Sequence, residues 1–272
     1  MSQLIKTFIV DSFTDEPFKG NPAGVCVLEK ALTETQMLSI AKELGLSETA
    51  FILKKAAEEN YTIRFFSPKM EISLCGHATL AAAKVLFEQF PLLKDIQFTT
   101  QQQLNLKIKR EGLSILMEFP VYNTLPANVP TAMLIALGIK VFKNSVYNEE
   151  NNILLIEISD SQVLKNLQPD YAALYRSHNS INGVLVTAPS TQSNFDFESR
   201  YFWPWSGTTE DPVTGATHTF LAKYWSDKLG KQKMKSFQCS ERTGFMEVEL
   251  IGEDTLIIKS VAQIVLEGLL RL

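Results

Sequence analysis

Apolar and polar positions alternate over residues 6–13, and 23–28 form a second, apolar strand, the two joined by a polar turn through Gly20-Asn21-Pro22. The period then changes. Thr33-x-x-Gln36 has the spacing of a capping box, and Met37, Ile40, Ala41 and Leu44 fall on one face of the helix it opens, with Gly45 placed to cap its end. Strands are expected at 51–54 and 61–66 around a turn at Glu58-Glu59-Asn60, followed by a helix reaching Phe90. Residues 96–102, 104–109 and 114–119 read as further strands. Residues 123–130 hold two prolines and form the linker candidate, dividing a lobe of 1–122 from one of 123–272. Helices at 131–137 and 161–167 and strands at 141–147, 153–158 and 184–186 follow. The end is β-rich, with strands at 234–239, 245–250, 255–260 and 263–266, the last a candidate to cross back to the first lobe.

One pattern occurs twice. Arg200 to Trp203 reads as an aromatic strand entering Pro204, then a polar loop with the adjacent acids Glu210 and Asp211. A helix opened by Thr214-Gly215 follows, with Phe220, Leu221, Tyr224 and Trp225 on its buried face. Arg64, Phe66 and Pro68 match Arg200, Phe202 and Pro204 at an offset of 136; Gly76, Ala83 and Lys84 match Gly215, Ala222 and Lys223 at 139. Two copies are too few for a solenoid. They predict an α+β fold of two pseudo-symmetric lobes, each a mostly antiparallel sheet or barrel wrapped round a central helix. The helix starts near Gly76 and Gly215 are expected to face a shared cleft. No Gly-x-Gly-x-x-Gly nucleotide fingerprint is present.

Composition narrows the function classes. A net charge of −4 and the lack of a basic run exclude a nucleic-acid partner. Cys26, Cys75 and Cys239 form neither a disulfide framework nor a zinc pattern. No apolar run reaches the roughly 18–20 residues of a membrane span, and the first residues read as a strand, not a signal peptide. The expected location is the cytoplasm, with no membrane association. His178 and His218 have no carboxylate or cysteine at ligand spacing and read as structural or surface residues; Trp225 reads as core, while Trp203 and Trp205 flank the loop. Glu48, between Ser47 and Thr49 at the start of a strand, reads by position alone as a solvated turn acid.

Four segments change that last reading: Phe18-Lys19-Gly20-Asn21-Pro22-Ala23, Ser47-Glu48-Thr49-Ala50-Phe51, Leu74-Cys75-Gly76-His77-Ala78-Thr79, and Gly207-Thr208-Thr209-Glu210-Asp211-Pro212-Val213-Thr214-Gly215. In this order, across essentially the whole chain, they resemble the phenazine-biosynthesis isomerase-like (PhzF-like) family, whose fold is that of diaminopimelate epimerase. The resemblance implies a homodimeric isomerase that uses neither metal nor cofactor. Its founding member shifts a proton between ring carbons of a dihydro-hydroxyanthranilate through a glutamate in the Ser-Glu-Thr context, here Glu48. The family's supporting histidine and aspartate correspond to His77 and Asp211. Asn21, Cys75, Gly76, Thr214 and Gly215 are the matching candidates for binding a small carboxylate-bearing substrate. Where the founding enzyme has a serine just after the Thr-Gly, this chain has Ala216, with Thr214 and Thr217 as nearby hydroxyls.

Elementary chemistry points the same way. Proton transfer at carbon needs a base within reach and a means of stabilising the developing charge. A half-buried Glu48 is expected to have a raised pKa, and backbone N–H groups at Gly76 and Gly215 could hold a substrate carboxylate. Two other readings stay open. One is an amino-acid epimerase or racemase in which Cys75 is a thiolate base. The other is a non-catalytic protein that binds small molecules.

Overall fold

The computed structural model describes residues 3–55, 60–206 and 208–272; Glu58 and Glu59 of the expected turn, and Gly207 of the fourth segment, lie outside the described residues. In chain order the elements are β1 (Leu4–Ser12), β2 (Asn21–Leu28), α1 (Glu34–Leu44), β3 (Thr49–Lys54), β4 (Asn60–Phe66), β5 (Glu71–Ile72), α2 (Gly76–Gln89), β6 (Asp95–Thr99), β7 (Asn105–Glu111) and β8 (Ser114–Pro120). Then come β9 (Leu125–Pro126), α3 (Thr131–Leu137), β10 (Asn144–Asn148), β11 (Ile153–Glu157), α4 (Ser161–Lys165), α5 (Tyr171–Arg176), β12 (Gly183–Pro189), β13 (Phe197–Phe202) and β14 (Glu210–Asp211). The last are α6 (His218–Leu229), β15 (Lys233–Gln238), β16 (Gly244–Ile251), β17 (Thr255–Ser260) and β18 (Ala262–Arg271). The chain divides into two compact units, residues 1–118 with 258–272, and residues 119–257.

In the first unit β18 pairs antiparallel with β1, which pairs antiparallel with β2. The sheet continues β2–β3 parallel, β3–β4 antiparallel, β4–β6 parallel and β6–β7–β8 antiparallel. Both parallel joints follow a helix, α1 before β3 and α2 before β6, as parallel neighbours require a crossover. The capping box at Thr33 and Gln36 forms as its spacing predicts, and Gly45 takes the left-handed conformation that ends α1. α2 is buried along nearly its whole length. Its small Ala78, Ala81, Ala82 and Ala83 let the sheet close around it, and it packs on β1, β2, β3 and β18.

The second unit repeats the order: β10–β11 antiparallel, β11–β12 parallel, β12–β13 antiparallel, β13–β15 parallel and β15–β16 antiparallel. α6 holds the place of α2. Trp225 is stacked on Phe197 at 5.5 Å and donates its indole N–H to Thr187 Oγ1, so it is core. α6 starts at His218, three residues after Gly215. Tight three-residue turns wind the chain there instead, with His218 N–H on the Gly215 carbonyl and Thr219 N–H on that of Ala216. α5 is an additional helix that the sequence pattern leaves out; Asp170 caps it through Ala173 N–H.

The duplication extends to side chains. β4 and β5 pair through Phe65↔Ile72 and Phe66↔Glu71; β13 and β14 pair through Tyr201↔Asp211 and Phe202↔Glu210, the matching positions. Arg64 forks onto Glu71 at 2.7 and 2.6 Å, and Arg200 onto Glu210 at 2.8 and 2.7 Å. Each guanidinium also lies over the phenylalanine two residues on, at 5.2 Å and 4.9 Å. These bidentate pairs clip each two-stranded corner shut just before its central helix. No helix among the described residues is long and apolar enough to cross a membrane.

Candidate active site

The first unit positions its site residues through glycines that bring backbones close. Gly20 has φ +66°, and a Cβ there would stand 2.1 Å from the Ser12 carbonyl oxygen, so the turn between β1 and β2 requires glycine. Asn21 follows it, fully buried opposite Ser12. Ser12 in turn donates its hydroxyl to the His77 carbonyl at 2.7 Å, tying β1 to the start of α2. Gly24 N–H donates to the Glu48 carbonyl at 3.0 Å. A Cβ on Gly24 would lie 2.7 Å from Thr49 Oγ1, so glycine lets residues 47–49 lie flat against β2.

That placement brings Glu48 to α2. Its Oε2 lies 3.1 Å from His77 Nε2, with both side chains largely buried. Ser47 Oγ lies 3.4 Å from the same ring nitrogen, and Cys75 Sγ lies 3.4 Å from His77 Nδ1. Three expected site residues, Glu48, Cys75 and His77, thus converge in one cluster. Their ligand atoms lie within 4.8 Å of one another, close enough to share one metal ion. Cys75 is the N-cap of α2 and makes no side-chain capping bond. The first turn of α2 therefore opens beside the cluster, with the positive end of the helix dipole there.

The electrostatics correct one expectation. Burial alone would push the Glu48 carboxyl up, but the hydrogen bond and charge of His77, with a hydrogen bond from Ser47, outweigh it and hold Glu48 below the ordinary carboxylate value. Burial likewise pushes His77 down, and its contacts with Cys75 and Glu48 prevail to raise it well above the ordinary 6.5. Burial raises the Cys75 thiol, and the charge and hydrogen bond of His77 offset that only in part. The pair is carboxylate and imidazolium, with the ring donating from Nε2 to Glu48.

A pH dependence of stability follows. A lowered Glu48 contributes in full above the ordinary 4.5 and loses its contribution as pH falls through its folded value. A raised His77 contributes in full below 6.5 and loses it as pH rises through its folded value. The stability gap between wild type and His77→Asn, measured by urea titration, is therefore expected to be widest between these two values and to narrow on both sides. A gap that stays flat from well below 4.5 to well above 6.5, without narrowing at either end, would show that the two groups are not an ion pair.

The second unit places Asp211, Thr214 and Gly215 after β13. Asp211 is buried, and its Oδ2 accepts a hydrogen bond from Thr214 Oγ1. Gln238 Nε2 donates to the Asp211 carbonyl at 2.7 Å while its Oε1 accepts from Thr214 N–H at 2.9 Å, so the Thr214 amide is already engaged. Burial pushes His218 down to about 4, and it is held between the Thr214 carbonyl at 3.0 Å and Ser236 Oγ at 2.8 Å. It is a neutral, structural histidine. Trp205 donates to the His178 carbonyl at 2.9 Å, and the Trp203 indole N–H is buried with no partner among the described residues.

Sequence reasoning passed over Ser12, Gly24 and Gln238. A glycine inside the strand pattern of residues 23–28 signals close backbone approach and could have marked Gly24. Nothing in the sequence marks Gln238, whose partners Thr214 and Asp211 lie 24 and 27 residues away.

Comparison with known proteins gives a consistent result. Residues 10–264 match the family model described as phenazine biosynthesis-like protein. A mouse phenazine biosynthesis-like domain-containing protein is 40% identical, covering 97% of this chain and 98% of its own. A Pseudomonas aeruginosa protein named as an uncharacterized isomerase is 39% identical with the same coverage. Among solved structures, a PhzF-family protein of Enterococcus faecalis superposes with a TM-score of 0.91 at 36% identity, covering all of both chains. A hydroxyproline epimerase of Agrobacterium vitis shares the fold, at a TM-score of 0.57 and 10% identity, covering 99% of this chain and 93% of its own.

Proposed function

The chain belongs to the phenazine biosynthesis-like family, and on that premise we propose that it is an isomerase that moves a proton between carbons of a small, carboxylate-bearing substrate. The observation that carries this reading is the Glu48–His77 contact of 3.1 Å at the open end of α2. Glu48, ionised at neutral pH, takes the proton from one carbon and becomes a carboxylic acid. The electron pair left behind delocalises toward the second carbon, which takes a proton from Glu48 once that carboxylic acid has exchanged with solvent. Nothing is consumed, and the carboxylate is regenerated. His77, as imidazolium, holds Glu48 in place and stabilises negative charge as it develops. The first-turn N–H groups of α2, from Gly76 onward, suit the substrate carboxylate. Asp211 is assigned by the family match to orienting the substrate, with Thr214 setting its rotamer. A homodimer, a cytoplasmic location and the absence of any cofactor belong to the same proposal and rest on the family match.

The thiolate-base alternative is less well supported. Cys75 is buried and its pKa is raised, whereas a thiol serving as a base needs it lowered. In the duplicated register Cys75 corresponds to Thr214, so the matching loop of the second unit offers no partner thiol.

The test is a panel of small unsaturated and cyclic carboxylates incubated with the protein in D₂O and followed by NMR. The expected result is an isomerised product carrying deuterium at the newly formed C–H. If compounds bind but neither isomerise nor exchange, the catalytic reading fails and the protein is a small-molecule binder.

A further inference from the structure

Cys75 has no part in the proposed reaction and its side chain caps nothing, yet it is held against the acid–base pair. Its Sγ lies 3.4 Å from His77 Nδ1 and 3.8 Å from Nε2, and accepts a hydrogen bond from the Ala78 backbone N–H. The same Nε2 lies 3.1 Å from Glu48 Oε2. A sulfur, a ring nitrogen and a carboxylate oxygen therefore meet at one point, all three side chains largely withdrawn from water. The duplication shows that the fold does not demand this set. At the offset of 139, Cys75 and His77 correspond to Thr214 and Ala216, so the matching turns of the second unit carry neither sulfur nor imidazole.

The spacing suits a metal ion. Zinc bonds of about 2.0–2.1 Å to nitrogen and oxygen and about 2.3 Å to sulfur put tetrahedral ligand atoms roughly 3.3–3.6 Å apart. Nε2 stands 3.1 Å from Oε2 and 3.8 Å from Sγ, and the three donors lie within 4.8 Å of one another, so modest side-chain rotation completes the geometry. Thiolate, imidazole and carboxylate together select Zn²⁺ over Mg²⁺ or Ca²⁺, which prefer oxygen alone. Three protein ligands leave the fourth position to water. The Ala78 N–H and the positive end of α2 favour the thiolate, and the Ser47 hydroxyl hydrogen-bonds Glu48. Outer contacts of this kind orient metal ligands.

We propose that Glu48, Cys75 and His77 form an inhibitory site for a thiol-binding divalent cation, Zn²⁺ being the ion that fits. Zn²⁺ replaces the thiol proton of Cys75 and the proton on His77 Nε2, both released to solvent, and takes an electron pair from Glu48. No oxidation state changes. With its oxygen on the metal, Glu48 cannot accept a proton from carbon. The blocking effect rests on the isomerase reading; the binding of the ion does not.

Calorimetric titration of the metal-free whole protein with ZnCl₂, beside absorption spectra recorded with CoCl₂, tests it. One Zn²⁺ per chain is expected to bind at micromolar concentration or below, and Co²⁺ should give the near-ultraviolet charge-transfer band of a metal thiolate. Cys75→Ser keeps the shape, and should remove the band and weaken Zn²⁺ at least tenfold. Glu48→Gln should also weaken Zn²⁺ at least tenfold, and millimolar Mg²⁺ should not compete. Circular dichroism establishes that each variant is folded, and the wild-type cobalt spectrum needs no variant. Saturating Zn²⁺ should lower deuterium incorporation at least about 10²-fold, and EDTA should restore it. Absence of Zn²⁺ binding below millimolar concentration overturns the proposal. So does a cobalt band missing from the wild type, or one that survives in Cys75→Ser, which retains Cys26 and Cys239. Exchange undiminished by saturating Zn²⁺ overturns it as well. Zinc and the cobalt band in a protein that never exchanges deuterium support the ion site and count only against the isomerase reading.

Discussion

Glu48→Gln is expected to lower turnover, and deuterium incorporation with it, by about 10²–10⁴-fold. The amide matches the carboxylate in shape and still accepts a hydrogen bond from His77 Nε2, but it cannot take a proton from carbon. It also removes one of the two contacts, beside Cys75, that raise His77, so the imidazolium that would stabilise the developing negative charge is weakened in the same step. Substrate binding should change far less, because α2's amides and not Glu48 are assigned to the carboxylate. The measurement is single-turnover kinetics with whichever acid the D₂O panel identifies, beside Cys75→Ser as the comparison. Near-normal exchange in Glu48→Gln together with its loss in Cys75→Ser would end the mechanism and place the proton on sulfur.

The largest expected effect on stability is at Arg200. Arg200→Met should cost about 3–5 kcal/mol, the range for breaking a buried ion pair from one side. Glu210 would be left largely buried with its charge uncompensated, and three carbonyls near the end of α4 would lose their donor. Arg64→Met should cost clearly less. Its pair with Glu71 is more open to water, at 23% and 18% side-chain exposure against 8% and 13%, and its Nη1 holds no carbonyl among the described residues. Urea titration of both variants gives the comparison. Equal losses would mean that the carbonyl contacts contribute nothing and that the two forks are energetically interchangeable.

Much of the fold was legible because its signals are local. Thr33 and Gln36 announce a capping box and Gly45 a left-handed cap, each within a single turn of helix. The duplicated Arg-aromatic-Phe-x-Pro unit predicted matching strand corners, and Glu71 and Glu210 stand at the same offset of 139 as the glycines, so the fork itself was visible in principle. The start of α6 was misplaced because Gly215 reads as a helix opening, whereas the Thr214–Thr217 hydroxyl and carbonyl contacts stabilise turns there. α5 escapes the pattern because Leu174 is the one buried residue of its six, so no apolar face marks it.

The candidate site was legible only as a set of segments. By position Glu48 is an ordinary turn acid, and the family resemblance raised it to a candidate base. The direction of its pKa was misjudged for a physical reason: burial was foreseeable from the apolar flanks, but the opposing contact comes from His77, 29 residues along the chain, and is created only by the parallel β2–β3 joint and the packing of α2.

The β1–β18 pairing has a consequence for the order in which the protein is made. Ser12 faces Ala262 and Leu4 faces Arg271, so β1 meets one of its two neighbours only after some 250 further residues have been synthesised. At ribosomal speeds of about 5–20 residues per second, that is a wait of roughly 12–50 s. During that interval residues 119–257 have emerged and can fold, while β1 presents an unpaired edge on the side that β18 will occupy. The first unit to begin translation is therefore the last to be completed, and a chain truncated between residues 257 and 262 holds the whole of the second unit while its first is still open to chaperones and to other strands.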